Sequence, residues 1–449
     1  MQCLHDEEIE FAADTALIKH LGFVLGHPGA NTTRPYELSC TCEAIEMIYR
    51  ASPSMVAISF QKYGVDLLSM LIHLINDEVA RRHQLKVQSE NTTLRMNDFM
   101  TIDQAVDEKA TFASAQSSPF CGSVSTTPSI SDEFGRRDGD IVLRKATKVL
   151  GHFARVGAAT QPMAYYPGLL ACLVNVLTSQ PYSAFPSEVR LNSLWILANL
   201  ACNTENMVMM AGQVNMLQSL IGLASRQVSP SDLVETGVEI LRAQSIASRA
   251  LVNLSWAPEN RITMSENQAL LQVLGTLIVF RDSPFRKGRT VVDMIFQSRR
   301  HSVGTLRNLA AAPRQTKLLL VNFQNGMLLN VLTDAALNDP DVQVKERAFG
   351  TIHNLAIHDT AERMVQNPAL VLALKDAMIL SESEANKIFA QKTLLVLERS
   401  ITPDMGTYET LRDLLDEVND PNENQADVEC CTPMSGLSDE SDNDVTAAV

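Results

Sequence analysis

Val65, Leu68, Ile72 and Ile75 recur at helical spacing, so residues from Glu7 to about Arg82 read as helices, punctuated once by His27-Pro28-Gly29-Ala30-Asn31. Further along, one apolar and polar phrase returns four times. Trp195-Ile196-Leu197-Ala198-Asn199-Leu200-Ala201 is echoed by Arg249-Ala250-Leu251-Val252-Asn253-Leu254-Ser255. It returns as Gly304-Thr305-Leu306-Arg307-Asn308-Leu309-Ala310 and Gly350-Thr351-Ile352-His353-Asn354-Leu355-Ala356. Each copy has an apolar residue two before the Asn, a Leu directly after it and then a small residue. The Asn positions are 54, 55 and 46 residues apart. Stacked units of two or three helices have periods of this size, and such solenoids work by offering a long surface to a partner.

The phrase divides the chain. Residues 1–83 read as a helical N-terminal module, of the kind atypical capping repeats would form. From 84 to 140 the periodicity fails and serines gather between 113 and 131, which reads as a flexible linker. The repeat array spans 141–415. It opens with Ala146-Thr147-Lys148-Val149-Leu150-Gly151-His152-Phe153-Ala154, with His152 at the Asn position, and closes near Leu394-Leu395-Val396-Leu397-Glu398. Five to seven units fit, counted with the N-terminal module. The two long spacings hold insertions, Gln227 to Glu239 and Arg281 to Arg300, expected as loops at one edge. Residues 416–449 carry ten Asp or Glu and no Lys or Arg, the composition of an acidic, disordered tail.

Composition narrows the function. The 449 residues are 45% hydrophobic but only 5% aromatic, as expected of repeat helices packed through Leu, Val and Ala. With 37 basic against 52 acidic residues, the net charge of −15 argues against a nucleic-acid or anionic-membrane binder. The longest nearly apolar run, Leu270 to Phe280, is too short for the roughly 20 residues of a membrane span. No secretory signal is visible at the N-terminus, and eight scattered cysteines without a CxxC pair suit free thiols. The expected compartment is therefore the cytoplasm, the nucleus or both. His353 and His358 are at the wrong offset for a shared metal face, and there is no phosphate-cradling glycine loop, GxSxG or HExxH. The expectation is no enzyme, no metal and no cofactor.

The phrase, the Asn or Gln that follows it at 206, 260 and 315, and stretches such as Val214-Asn215-Met216-Leu217-Gln218-Ser219-Leu220-Ile221 resemble the third helix of armadillo repeats and the first helices of the next repeat, over roughly residues 141–400. The resemblance implies an all-α, right-handed α-solenoid whose Asn side chains face a concave groove and hold the backbone of an extended peptide. The nuclear-import adaptor importin alpha, in the same superfamily, has a series of Trp-xxx-Asn pairs. Here only Trp195 with Asn199 fits that pattern, because Arg249, Gly304 and Gly350 stand at the matching places.

Helical geometry reaches the same face independently. Residues four and seven before each Asn share its side of the helix. That groups Asn192, Trp195 and Asn199; Ile246, Arg249 and Asn253; His301, Gly304 and Asn308; and Arg347, Gly350 and Asn354. The amides either bond the peptide groups of a ligand or tie neighbouring helices together; both readings stand at this point. With Lys145, Lys148 and His152 of the first unit, the face holds more cations than acids, which suits an acidic or phosphorylated segment of a protein partner. A second basic cluster, Arg281, Arg286, Lys287, Arg289, Arg299 and Arg300, reads as a solvated loop or a receiver of an acidic group. The expected function is a non-catalytic protein-binding adaptor or scaffold. The alternatives are a nuclear transport adaptor and a structural subunit of a larger complex. Oligomeric state and partner identity are not legible.

Overall fold

The structure is a computed structural model. It describes residue 21, then 35–51, 56–57, 60–62, 66–82, 84–88, 130–179, 184–229, 232–281 and 288–400. The acidic tail, the Ser-rich stretch 89–129, and Arg286 and Lys287 therefore lie outside the described residues. Two compact units divide the chain, Met1–Ile401 and Thr402–Val449. All the regular structure among the described residues is helical.

The first unit is a stack of three-helix repeats, an armadillo-like arrangement. Helix α1 spans Pro35–Ala51, α2 residues 66–82 and α3 Ile130–Ala154. Five full repeats follow. The first three comprise α4 Gly157–Ala164, α5 Leu169–Thr178 and α6 Ser187–Leu200; α7 Thr204–Ala211, α8 Met216–Ala224 and α9 Val234–Leu254; and α10 Pro258–Glu266, α11 Gln268–Val279 and α12 Arg289–Ala310. The last two comprise α13 Arg314–Asn322, α14 Met327–Asn338 and α15 Val342–Leu355; and α16 His358–Val365, α17 Pro368–Leu380 and α18 Glu384–Ser400. First helices pack on first, second on second, and third on third, so α1, α3, α6, α9, α12, α15 and α18 form one continuous layer. A sharp bend separates first from second helix, 93° between α7 and α8. That turn takes a left-handed residue at Gly168, Asn215 and Gly326. In the other two repeats Asn267 and Asn367 instead cap the second helix through their side chains.

The repeated phrase builds the core. Its two fixed apolar positions are three apart and share one helix face. Leu197, Leu251, Leu306 and Ile352 are buried on it, as are Leu200, Leu254, Leu309 and Leu355. Burial of each such side chain contributes about 1.5–3 kcal/mol. The near-apolar run at 270 is the second helix α11, buried through Leu270, Leu271, Leu274, Leu277 and Ile278.

Three expectations need correction. The N-terminal module is not separate: α1 lays Leu38, Cys42, Ile45 and Tyr49 against α3, with Tyr49 edge-on to Phe153 at 5.4 Å. Of the expected linker, residues 84–88 and 130–140 are helical, and 89–129 lie outside the described residues. Arg82 at the end of α2 binds Asp140 of α3 at 2.5 Å, and residues 130–140 are already helical. Those residues, ISDEFGRRDGD, hide their helix behind charges and two glycines. Finally, most of the two expected edge loops is helix. Val234–Glu239 and Arg289–Arg300 are the opening turns of α9 and α12, where Leu241 packs on Val291, Met294 and Ile295 in a small apolar cluster of its own. All these insertions fall at the same place in the repeat, between second and third helix.

No single helix among the described residues is long and apolar enough to cross a membrane.

Candidate functional site

The face inferred from the phrase exists on the third-helix layer, and its residues are half-buried: Asn192, Trp195, Asn199, Arg249, Asn253, His301, Asn308, Arg347 and Asn354, with Lys148 and His152 at the first unit. Two of its rows tie the stack together. Asn253 Nδ2 donates to the Ala198 carbonyl at 3.3 Å, Asn308 Nδ2 to that of Val252 at 3.2 Å, and Asn354 Nδ2 to that of Arg307 at 3.3 Å. Each acceptor is the residue just before the Asn position of the preceding repeat, in the last helical turn, where carbonyls have spare accepting capacity. Asn253 and Asn308 each make a second bond, to Cys202 Sγ at 3.1 Å and Ser255 Oγ at 3.0 Å. The row seven before the Asn does the same. Asn192 donates to Thr147 Oγ1 at 3.1 Å, His301 Nδ1 lies 3.4 Å from Ser248 Oγ, and Arg347 Nη1 donates to the Arg300 carbonyl at 2.8 Å. Of the two readings of the Asn ladder, the geometry carries the structural one: the amide donors hold neighbouring third helices in register.

Asn206 and Asn260 tie the layers in another way. Each lies seven residues after a phrase Asn and is buried. Asn206 donates to the carbonyls of Leu200 and Thr160, Asn260 to those of Leu254 and Met207. Gln315, at the same offset, is exposed.

Charge is distributed unevenly along the face. At its N-terminal end Lys145 reaches Glu43 at 3.2 Å and Glu46 at 3.8 Å, Lys148 reaches Glu46 at 3.6 Å, and Arg50 reaches Glu46 at 2.6 Å. Those cations are matched within the stack, which corrects Lys148 as a free groove cation. His152 packs beside Tyr49, with ring centroids 6.1 Å apart. Burial and Arg155 lower its pKa, and Glu46 opposes them.

From α9 to α15 the pattern changes. Among the described residues none of Arg249, Arg307 and Arg347 has a carboxylate within ion-pair distance. The Arg249 guanidinium stacks over the Trp195 ring at 4.8 Å. Arg347 lies against Gly304 of the preceding third helix, its Nη1 3.4 Å from where a Cβ would stand. Arg307 lies against Gly350 of the following one, its Nε 3.1 Å from the corresponding point. Arg307 also reaches over Phe389 at 5.8 Å. Burial first, then Arg347 and Arg249, push the His301 pKa down to about 3, so the imidazole is neutral at pH 7. Burial with Arg300 and Arg307 lowers Arg347, while Asp341 and Glu346 oppose this. His353 is lowered by burial, Lys392, Lys317 and Arg307.

Of the second basic cluster, Arg289 is exposed, Arg286 and Lys287 lie outside the described residues, and three members are paired. Arg281 binds Asp334 and Arg300 binds Asp341, while Arg299 is fully buried against Asp339 and donates from Nε to the Ile278 carbonyl at 3.0 Å. These three arginines clamp one repeat to the next. Burial pushes the Cys42 and Cys172 thiols up to about 12. No group of three His, Cys, Asp or Glu side chains suited to a metal occurs among the described residues.

Arg307 was not legible as a site residue, because it stands one before the Asn, off the face defined by the four- and seven-residue offsets. The signal for it is Gly350 in the next copy, an empty place that a long side chain fills.

No protein-family profile matches the chain, and no curated protein matches it. Among solved structures, it is similar to the designed armadillo repeat protein YIII(Dq)4CqI at 22% identity, covering 57% of this chain and 93% of that one, with a TM-score of 0.42. It is also similar to the designed armadillo repeat protein YIII(Dq.V1)4CPAF in complex with peptide (KR)4, at 19% identity over 57% and 93% with a TM-score of 0.44. An engineered protein aligns at 20% identity over 58% and 91%, with a TM-score of 0.45.

Proposed function

We propose that the chain is a non-catalytic scaffold of the cytoplasm or nucleus that holds an extended anionic segment of a protein partner along the open face of its third helices, from α6 to α15. The observation that supports this most is the run of half-buried arginines Arg249, Arg307 and Arg347 along the third-helix layer, none with a carboxylate within ion-pair distance among the described residues. Free cations at successive repeats steer and align an anionic strand, and rows of weak contacts add up along it. Trp195 supplies an apolar contact at one end, backed by Arg249. An importin-alpha-type role is disfavoured, since a basic cargo signal would meet like charge here.

The test uses immobilised peptides of acidic, neutral and basic composition against the full chain. Acidic peptides should bind, and binding should fall steeply with salt and in the Arg249→Gln, Arg307→Gln, Arg347→Gln triple variant. Preference for basic peptides would reject the proposal.

A second reading, a fixed subunit docked through another surface, is favoured by one feature. Val208 and Ile262, 54 residues apart at equivalent places on the first helices α7 and α10, are both exposed. Val208→Asp with Ile262→Asp would release a partner held there and leave peptide binding intact.

A further inference from the structure

Arg307 and Arg347 are exchanged across one helix pair. Arg347 of α15 lies on Gly304 of α12, and Arg307 of α12 lies on Gly350 of α15. Each glycine removes the Cβ that would otherwise occupy the partner's guanidinium position, so both arginines lie flat on the layer with their forks fixed. Arg347 is further anchored by its bond to the Arg300 carbonyl at 2.8 Å, and Arg307 by the Phe389 ring. The acids nearest Arg347 are spoken for: Asp341 binds Arg300, and Glu346 accepts from Ser383 Oγ at 3.0 Å. Arg307 is among the charges that disfavour the protonated form of Arg347, and an anion with several oxygens is the ligand that turns that repulsion into binding.

We infer that Arg307 and Arg347 form a clamp for one phosphorylated side chain of the bound segment. The clamp rests on the peptide-binding reading above and adds to it. A phosphate monoester carries about −1.5 to −2 charge and three acceptor oxygens, enough for both forks at once, whereas a single carboxylate satisfies one. The Arg249 and Trp195 pair, toward the preceding repeats, receives the residues flanking the phosphate.

The test compares nine-residue peptides with randomised flanks and a central phosphoserine, serine or glutamate, measured by fluorescence polarisation against the full-length chain. Phosphoserine peptides should bind at least about tenfold tighter than their serine counterparts and tighter than glutamate ones. Arg307→Lys and Arg347→Lys, which keep the charge but lose the fork, should each remove most of that preference, in Arg307→Lys with an unchanged thermal midpoint; Arg155→Lys, at an exposed arginine, should not. Gly350→Ala, which pushes Arg307 off the layer, should weaken the preference without altering charge. Equal binding of phosphoserine and serine peptides, or full preference in both lysine variants, would overturn the clamp and leave the peptide-binding reading standing. Failure of every peptide to bind would remove both. Inorganic phosphate competing as well as the phosphopeptides, or polyuridylate binding as tightly, would also overturn the clamp by assigning the arginines to a free anion or a nucleic-acid backbone.

Discussion

Between α1 and α3, Lys145, Lys148 and Arg50 gather around the buried carboxylate of Glu46. Between α12 and α15, Arg347 lies on Gly304 and Arg307 on Gly350, with no carboxylate in ion-pair distance of either among the described residues. Both regions are contacts between third-layer helices, yet in one the cations reach carboxylates of the stack and in the other they reach none among the described residues. Solenoid geometry supplies the surface. Under the proposed function, the part of it that binds is the part where the chain provides no acids for its own cations.

The largest effect concerns a cation that is matched. Arg299 is buried and depends on Asp339, so Asp339→Ala strands a charge in the core and should lower the unfolding free energy by about 3–5 kcal/mol in urea titration. A near-neutral change would show that burial does not distinguish Arg299 from the open arginines.

His301 makes the region of the open arginines sensitive to pH. Unfolded His301 protonates near pH 6.5, whereas in the fold burial and Arg347 hold it down to about 3. Below pH 6.5 the unfolded chain therefore binds more protons, so stability falls with falling pH, by up to about 2 kcal/mol from this group between pH 6.5 and 5. His301→Asn, which places there the residue found at Asn192, should remove this part of the acid sensitivity. Urea midpoints at pH 7 and 5 check it, and an equal pH response in both proteins would contradict it.

The regularity of the fold was legible because the core demands it. Leu at the position after the Asn and an apolar residue two before it must repeat for third helices to stack, and their burial follows. The N-terminal organisation was not legible. Ile130 to Asp140 earns its helix from α2 through Arg82 and Asp140, a contact between residues 58 apart in sequence that no local pattern reveals. Site residues divided in the same way. The offsets of four and seven placed Trp195, Arg249 and Arg347 on one half-buried face of the third helices, but they could not say that the amides bond backwards into the previous repeat. Arg307 acquires its place only through the glycine opposite it.

The Asn rungs give a smaller effect. Asn253→Ala and Asn308→Ala should each lower stability by about 0.5–1.5 kcal/mol, the net value of a hydrogen bond to an end-of-helix carbonyl. Acidic-peptide affinity of the folded protein should change little. Lost affinity with unaltered stability would move the amides from the frame to the ligand site. Smallest of all is the stability effect of Arg307→Gln. Removing one of two facing cations that lack acid partners should shift the unfolding free energy by no more than about 0.5 kcal/mol in either direction. A loss of several times that size would mean the arginines are there to hold the stack.

The contrast between the two regions is tested most directly by amide hydrogen exchange on the full chain, with and without a saturating acidic peptide, read helix by helix. Slowed exchange should be confined to the third helices α6, α9, α12 and α15, with α1 and α3 unaltered. Protection concentrated on α1 and α3, or on the first helices of the repeats, would contradict the assignment of ligand binding to the arginines without acid partners.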